Sequence, residues 1–444
     1  MSDMLSIGAT GVRAYQTALT TVGDNIANTG VQGYSRRSAS LAEVTSVNGI
    51  AGRGITGSGV TVTGVVRHAD FYRAAAVRSA GADLARSEAG GVWLDRIETS
   101  LTGAGLADRL TGFFTAARGL AADPTSVPQR SVLLERAGAL ATAFATTGRQ
   151  LDQSMAELDT MARTAAGELN ALGTALAKVN EGLARAGAGG TTAAQLADQR
   201  DDILERMSAL SDIGVTIDPV GRAIVTLGAG GPAFVTGTQS GNVAFQRSGG
   251  AVSYSVQQGG NFEAFTPIGG ALAGIVEGGS RLADTRASLN ALAGDFVAEV
   301  NAVQAGGRDL DGQPGAALFA AGTTPTDITV ALADPRGIAA AGVGGGTRDA
   351  ANLAALESSR GAHGWEAGLT ALVAGNAAVI EQRTLVTQAQ AAIRDGAVAS
   401  QAAVSGVDLD SEAVDLLRFQ QAYQASSRVI QVAREVMQSI LEIR

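Results

Sequence analysis

No cysteine occurs among the 444 residues, which excludes disulfides, thiolate zinc sites and thiol nucleophiles. Histidine is nearly as scarce. His68 and His363 are the only two; they lie far apart without acids at metal-ligand spacing, so each reads as an isolated surface or packing residue. A His-based triad or zinc protease is therefore not expected. The one lysine, Lys178, falls within a helical pattern, and a phosphate loop needs Gly-Lys-Ser/Thr, so Walker-type binding is excluded. Aromatics make up only 4% against 45% hydrophobic residues, leaving small side chains to do the packing, as suits close helix–helix contact. No apolar run approaches a membrane span. The N-terminus has neither the basic n-region nor the continuous apolar region of an ordinary secretory signal. A net charge of −9 argues against a nucleic-acid surface.

The remaining near-matches to chemical motifs also fall short. Asp309-Leu310-Asp311-Gly312 superficially resembles a calcium loop, but aligning Gly312 to the sixth position puts Gly307 first and Leu318 twelfth, where acids belong; it reads as a tight turn. Gly342 to Gly346 is not framed by a strand and a phosphate-binding helix, and reads as a loop. Asp201-Asp202 reads as a solvated helix face. No enzyme activity, cofactor or metal is expected.

What is present is helical periodicity, strongest at the two ends. From Ser411 to Ile443, Leu416, Phe419, Tyr423, Ser426, Ile430, Ala433, Met437 and Ile440 step alternately by three and four, the 3.5-residue repeat of a coiled-coil seam. Ala422, Val429, Val436 and Ile443 form a second stripe. At the other end Leu5, Gly8, Val12, Tyr15, Leu19, Val22 and Ile26 alternate likewise. Neither helix should be stable alone. If both leave one common body they must pair antiparallel, and periodicity leaves open whether they close a domain within one subunit or pack between subunits.

Between the ends the chain changes character twice. The first helix should end near Asn28-Thr29-Gly30, where left-handed caps are easy, and Ser38 to Val66 alternates Val, Ile and Thr with glycine, as in extended chain or a short hairpin. Helix resumes near Ala69, its longest run lying between Pro128 and Gly187, and Leu196 to Leu210 is a further amphipathic helix. From Gly214, short runs cut by Gly-Gly pairs predict an antiparallel meander to Phe265. Helix returns after Gly269-Gly270, a short strand is expected in DITVAL, and the last helices run from about Asp349. The expected fold is mainly α with a β-rich insert: terminal helices paired as an α-helical coiled coil (1–68 with 405–444), a long-helix bundle body (69–213 with 270–304 and 349–404) and an antiparallel β outer domain (214–269 with 305–348).

Residues Asp24 to Arg37 read DNIANTGVQGYSRR, and Ser405 to Arg444 read SGVDLDSEAVDLLRFQQAYQASSRVIQVAREVMQSILEIR. Both resemble the axial proteins of the bacterial flagellum, with their N-terminal helix, N-x-x-x-G-Y/F turn and C-terminal signature. Gly33 to Arg37, the LADQRD segment at Leu196 and Phe419 to Ser426 look most like the hook-associated junction family. The family more often has Asn at the position of Asp24, and its strand-rich insert is longer. This resemblance implies a non-catalytic structural subunit, exported by a dedicated machine without a cleavable signal peptide and built into the extracellular flagellum between hook and filament. The implied partners are identical subunits in a ring, the hook protein, the next hook-associated protein or filament side, and an export chaperone, with no nucleic acid and no membrane insertion. Assembly contacts are expected at Leu5, Val12, Tyr15, Leu19, Val22, Ile26, Asn28, Gly33, Tyr34, Arg36 and Arg37, and at Leu409, Leu416, Phe419, Tyr423, Ile430, Met437 and Ile440. Arg36-Arg37 is either a surface pair or a binder of an acidic neighbouring subunit. The alternatives are another axial subunit, of rod or hook, and a soluble non-catalytic multidomain binding protein whose ends close its own bundle.

Overall fold

The computed structural model describes residues 2–31, 33–45, 57–187, 189–228 and 230–442. Its chain order is α1 (Ser2–Ala27), the hairpin β1 (Arg37–Thr45) and β2 (Gly57–Arg67), then α2 (Phe71–Gly103), α3 (Leu106–Ala122), α4 (Val127–Arg185) and α5 (Thr191–Leu210). Seven strands follow: β3 (Ile213–Ile217), β4 (Ala223–Leu227), β5 (Ala233–Thr236), β6 (Gln239–Ser240), β7 (Asn242–Ser248), β8 (Ala251–Gln258) and β9 (Asn261–Phe265). The chain closes with α6 (Gly270–Gly306), the small hairpin β10 (Phe319–Ala321) and β11 (Ile328–Val330), then α7 (Ala351–His363), α8 (Trp365–Ser405) and α9 (Leu409–Glu442). The fold is mainly helical with small antiparallel sheets, as the periodicities imply. Ile443, the last residue of the expected second stripe, lies outside the described residues.

The body is built along α4. Ser126 caps its N-terminus by accepting from the Gln129 N–H at 3.4 Å, and Pro128 sits in its first turn, where a missing N–H costs nothing. Fifty-nine residues at about 1.5 Å each give a rod of roughly 90 Å. No helix of that length holds by propensity; it holds because Leu133, Leu140, Phe144, Leu151, Leu158, Leu169 and Leu176 are all buried on one stripe. The few aromatics concentrate at one place. Phe113, Phe114, Phe144, Phe296, Phe319 and Trp365 form a contiguous cluster, with Phe114 stacked on Trp365 at 5.8 Å and Phe296 edge-on to Trp365 at 5.3 Å. Rings packed in these geometries gain about 0.5–1.5 kcal/mol per pair beyond burial, so this cluster is the anchor of the body.

The strands form separate sheets. β3-β4-β5-β6 and β7-β8-β9 are antiparallel meanders, and β10-β11 is a third, isolated pair. Two asparagines of α4 dock the first two sheets by imitating a strand's edge. Asn170 donates to the Val243 carbonyl at 3.0 Å and accepts from its N–H at 2.6 Å; Asn180 does the same with Ala223, at 2.8 and 2.9 Å. The sequence reading grouped 305–348 with 214–269 as one outer domain. Instead, β10-β11 packs against α4 and α6, because Phe319 and Ile328 are drawn into the helical core. Asp309-Leu310-Asp311-Gly312 is a turn: Asp309 accepts from the N–H groups of Asp311 and Gln313, and Gly312 takes φ +76°.

Candidate assembly surface

A helix covered on two sides must give up bulk where its neighbours come closest. The hairpin β1–β2 and helix α9 both pack on α1. Its buried residues are accordingly Gly8, Gly11, Ala14, Ala18, Thr21, Val22 and Asn25. A Cβ at Gly8 would lie 2.6 Å from Ile430 Cγ1, and one at Gly11 2.7 Å from Ser426 Oγ. Tyr15 meets Phe419 at 6.4 Å between ring centroids. Low numbers in α1 thus face high numbers in α9, and the two helices run antiparallel within one chain. Of the expected N-terminal contacts, Val22 is buried, Leu5, Val12, Tyr15 and Leu19 are half-buried, and Ile26 is exposed. The larger seam residues flank a stripe of smaller ones.

Along α9, Leu416, Phe419, Tyr423 and Ile430 are half-buried and Ala433 is buried, whereas Met437 and Ile440 are 48% and 54% exposed. The reason is length. Gly8 faces Ile430 and α1 starts six positions earlier, so its partner has run out by about Val436. The last two turns of α9 consequently present Val436, Met437, Ile440 and Leu441 uncovered, together with Val432 just below them. Leu409, Val414 and Leu417 are also half exposed or more nearer the start of the helix.

A polar hub closes the base of this helix pair. Gly33, at φ +80°, bends the chain so that Tyr34 to Arg37 return past α1. Asn25 is fully buried; its amide donates to the Arg37 carbonyl at 2.8 Å and to Glu412 Oε2 at 2.9 Å, and its carbonyl accepts from the Arg37 N–H and the Tyr34 hydroxyl. Glu412 is also fully buried and takes the Arg36 guanidinium at 2.6 Å. Arg36 reaches Asp415 at 3.5 Å as well, and Arg37 pairs with Asp198 of α5 at 2.5 Å. Asp198 is shared with Arg67 of β2 at 2.6 Å, Arg67 meets Asp201 at 2.8 Å, and Asp201 meets Arg200. Burial raises the Tyr34 phenol above its ordinary range, the Arg37 charge opposing it.

The acids facing Arg36 and Arg37 therefore come from this same chain. Asp201, expected on a solvated face, is an ion-pair partner, while Asp202 lines a polar cleft of about 450 Å³ with Asp24, Asn28, Gly33 and Tyr34. Nothing in the local pattern singles out Asn25, Glu412 or Asp198, because their partners lie 387 and 161 positions away; their one trace is that each falls in a segment that carries the resemblance, Asp24 to Arg37, Ser405 to Arg444 and LADQRD. Elsewhere, His363 stacks on Trp365 and contacts Asp295 at 2.8 Å, and His68 contacts Ser38 at 2.9 Å. No group of three or more His, Cys, Asp or Glu able to hold a metal occurs among the described residues, and no described helix is long and apolar enough to cross a membrane.

Comparison with known proteins agrees with this architecture. The model of the flagellar hook-associated protein FlgK helical domain matches residues 94–319, and that of the flagellar basal body rod FlgEFG protein C-terminal region matches 401–443. Flagellar hook-associated protein 1 of Salmonella typhimurium is 28% identical over 335 residues, covering 73% of this chain and 60% of that protein. Its Escherichia coli counterpart is 27% identical over 337 residues, covering 72% and 60%. The chain thus spans about 60% of the length of the curated relatives it matches. The solved flagellar hook junction protein FlgK from Burkholderia pseudomallei superposes with a TM-score of 0.51 at 26% identity, over 55% of this chain and 46% of that one.

Proposed function

The chain belongs to the FlgK family of flagellar hook-associated proteins, and from that premise we propose that it is a non-catalytic structural subunit of the hook–filament junction. It works outside the cell, exported without a cleavable signal peptide and kept from premature association by an export chaperone. Copies form a ring, with hook protein on one side and the next hook-associated protein or the filament on the other. In this reading 1–68 with 405–444 is the axial core, 69–213 with 270–404 the body, and 214–269 the outer part. The names of the relatives support the junction role.

One observation carries the mechanism: the antiparallel pair is closed within the subunit up to about Ala433 and open beyond it. The uncovered last turns of α9 hold four large apolar residues, each about half exposed or more, and covering each completely yields roughly 1–1.5 kcal/mol. A ring supplies that cover from neighbouring copies. This also reconciles the two alternatives of the sequence: the ends close their own bundle, and the overhang is left for assembly.

The test is complementation of a deletion strain, read by electron microscopy. The deletion should leave bare hooks and secreted filament subunits. Ile440→Asp should leave a folded, secreted subunit that does not restore filaments, since Ile440 touches little within the chain. Restoration to the wild-type level by Ile440→Asp together with Met437→Asp would remove the overhang mechanism.

A further inference from the structure

The contact between α1 and α9 is poorly indexed by its apolar part. Gly8 and Gly11 are two shallow seats of the same kind, and Ile430 occupies one of them. Sliding α9 by one turn moves Ile430 onto Gly11 and Ser426 towards Tyr15, and every displaced residue meets another small or apolar one. The pair of Asn25 and Glu412 behaves differently. Both are fully buried, they are joined at 2.9 Å, and Glu412 is completed by Arg36 at 2.6 Å. A one-turn slide would set Glu412 beyond Asn25 and put Leu416 in its place, parting a buried carboxylate from the amide that donates to it, while Asn25 keeps its bonds to Arg37 and Tyr34. Stranding such groups costs far more than exchanging one methyl contact for another.

We propose that the buried Asn25–Glu412 pair, clamped by Arg36, is the register pin of the terminal helix pair, and that it sets how far α9 projects past α1. The consequence for assembly rests on the junction reading above: a slide of one turn, about 5.4 Å, lengthens or shortens the apolar overhang by a whole turn and so changes the surface offered to the next copy. Glu412 and Asn25 are positioning residues in this scheme, since neither needs to touch a neighbouring subunit. Polar residues buried in an otherwise apolar seam are known to fix register at a cost in stability.

The absence of cysteine makes the register directly readable. In the full-length soluble subunit, Gly11→Cys is combined in turn with Ser426→Cys, Tyr423→Cys or Ile430→Cys and oxidised. A Cβ on Gly11 lies 3.1 Å from Ser426 Cβ, near disulfide distance, while the other two pairs report a slide in either direction. With Asn25 and Glu412 intact, the 11–426 bond should exceed each slipped bond about tenfold, because a slipped state breaks the buried, charge-assisted bond between Asn25 and Glu412. In Asn25→Leu/Glu412→Leu the helix signal should persist while the three yields become comparable. Exclusive 11–426 bonding in that double variant overturns the proposal. If the double variant loses its helix signal, the same three pairs are read in Glu412→Ala, with the same two outcomes. All of this is measured on the isolated subunit. Failure of the junction reading would instead show as filaments in the deletion strain, so the two failures are distinguishable.

Discussion

At the scale of single residues, the glycines of the long helices separate into two kinds. Gly278 of α6 sits under the indole of Trp93, where an added Cβ would fall 2.2 Å from Cδ1, whereas Gly81 of α2 has nothing within 4 Å. Gly278→Ala should cost about 1–3 kcal/mol or more by overpacking, and Gly81→Ala should gain up to roughly 1 kcal/mol from helix propensity; urea midpoints of the two variants will show the opposite signs. Asp408 is a different case. The Ser411 hydroxyl and the Asp410 N–H hold its carboxyl below the ordinary range. Because the folded value lies below the unfolded one, its contribution is present above the ordinary carboxylate range and is lost as pH falls through the lowered value. Amide protection at the start of α9, taken relative to the intrinsic exchange rate at each pH, should therefore fall on acidification, and Asp408→Ala should abolish that pH dependence. Neither role is visible in sequence for the glycines, since Gly278 and Gly81 differ only in what another helix puts beside them. Asp408 stands just before the helical pattern that begins at Ser411, a local signal of a helix start.

At the scale of elements, periodicity located nearly every helix, because a 3.6-residue apolar repeat is a one-dimensional record of one buried face. It was less informative about α1, where burial comes from two sides and the approach is set by Gly8 and Gly11 rather than by the large residues beside them. It was silent on the hub, whose members become neighbours only through the fold. For the ends, a graded result is expected under limited proteolysis of the soluble subunit: the uncovered last turns of α9 should be trimmed first, and cleavage should then slow sharply near Ala433, where pairing with α1 begins. Uniform loss of the whole of α9 at the initial rate would contradict that boundary. The meander is legible in the sequence but its attachment is not, since nothing in the helical pattern sets Asn170 and Asn180 apart from the other polar residues of α4.

At the scale of the molecule, one carboxylate of α5 is shared by two arginines that help join the helix pair and its hairpin to the body. Asp198 holds both Arg37 and Arg67, with side chains 12%, 4% and 14% exposed. Asp198→Asn leaves two largely buried guanidiniums short of charge and should cost roughly 3–5 kcal/mol, loosening the pair from the body; the signature is unfolding in two steps instead of one by circular dichroism. Asp202→Asn, one turn away and without an ion pair among the described residues, should change stability by no more than about 0.5 kcal/mol. The pairing of residues 2–27 with 409–442 has one more consequence, a matter of timing. Any process that delivers this polypeptide from its amino end, whether synthesis or passage through a narrow conduit, releases α1 first and its mate last. Throughout that interval α1 has its hairpin but not α9, and the side it keeps open to water is the one where Gly8 and Gly11 will receive Ile430 and Ser426.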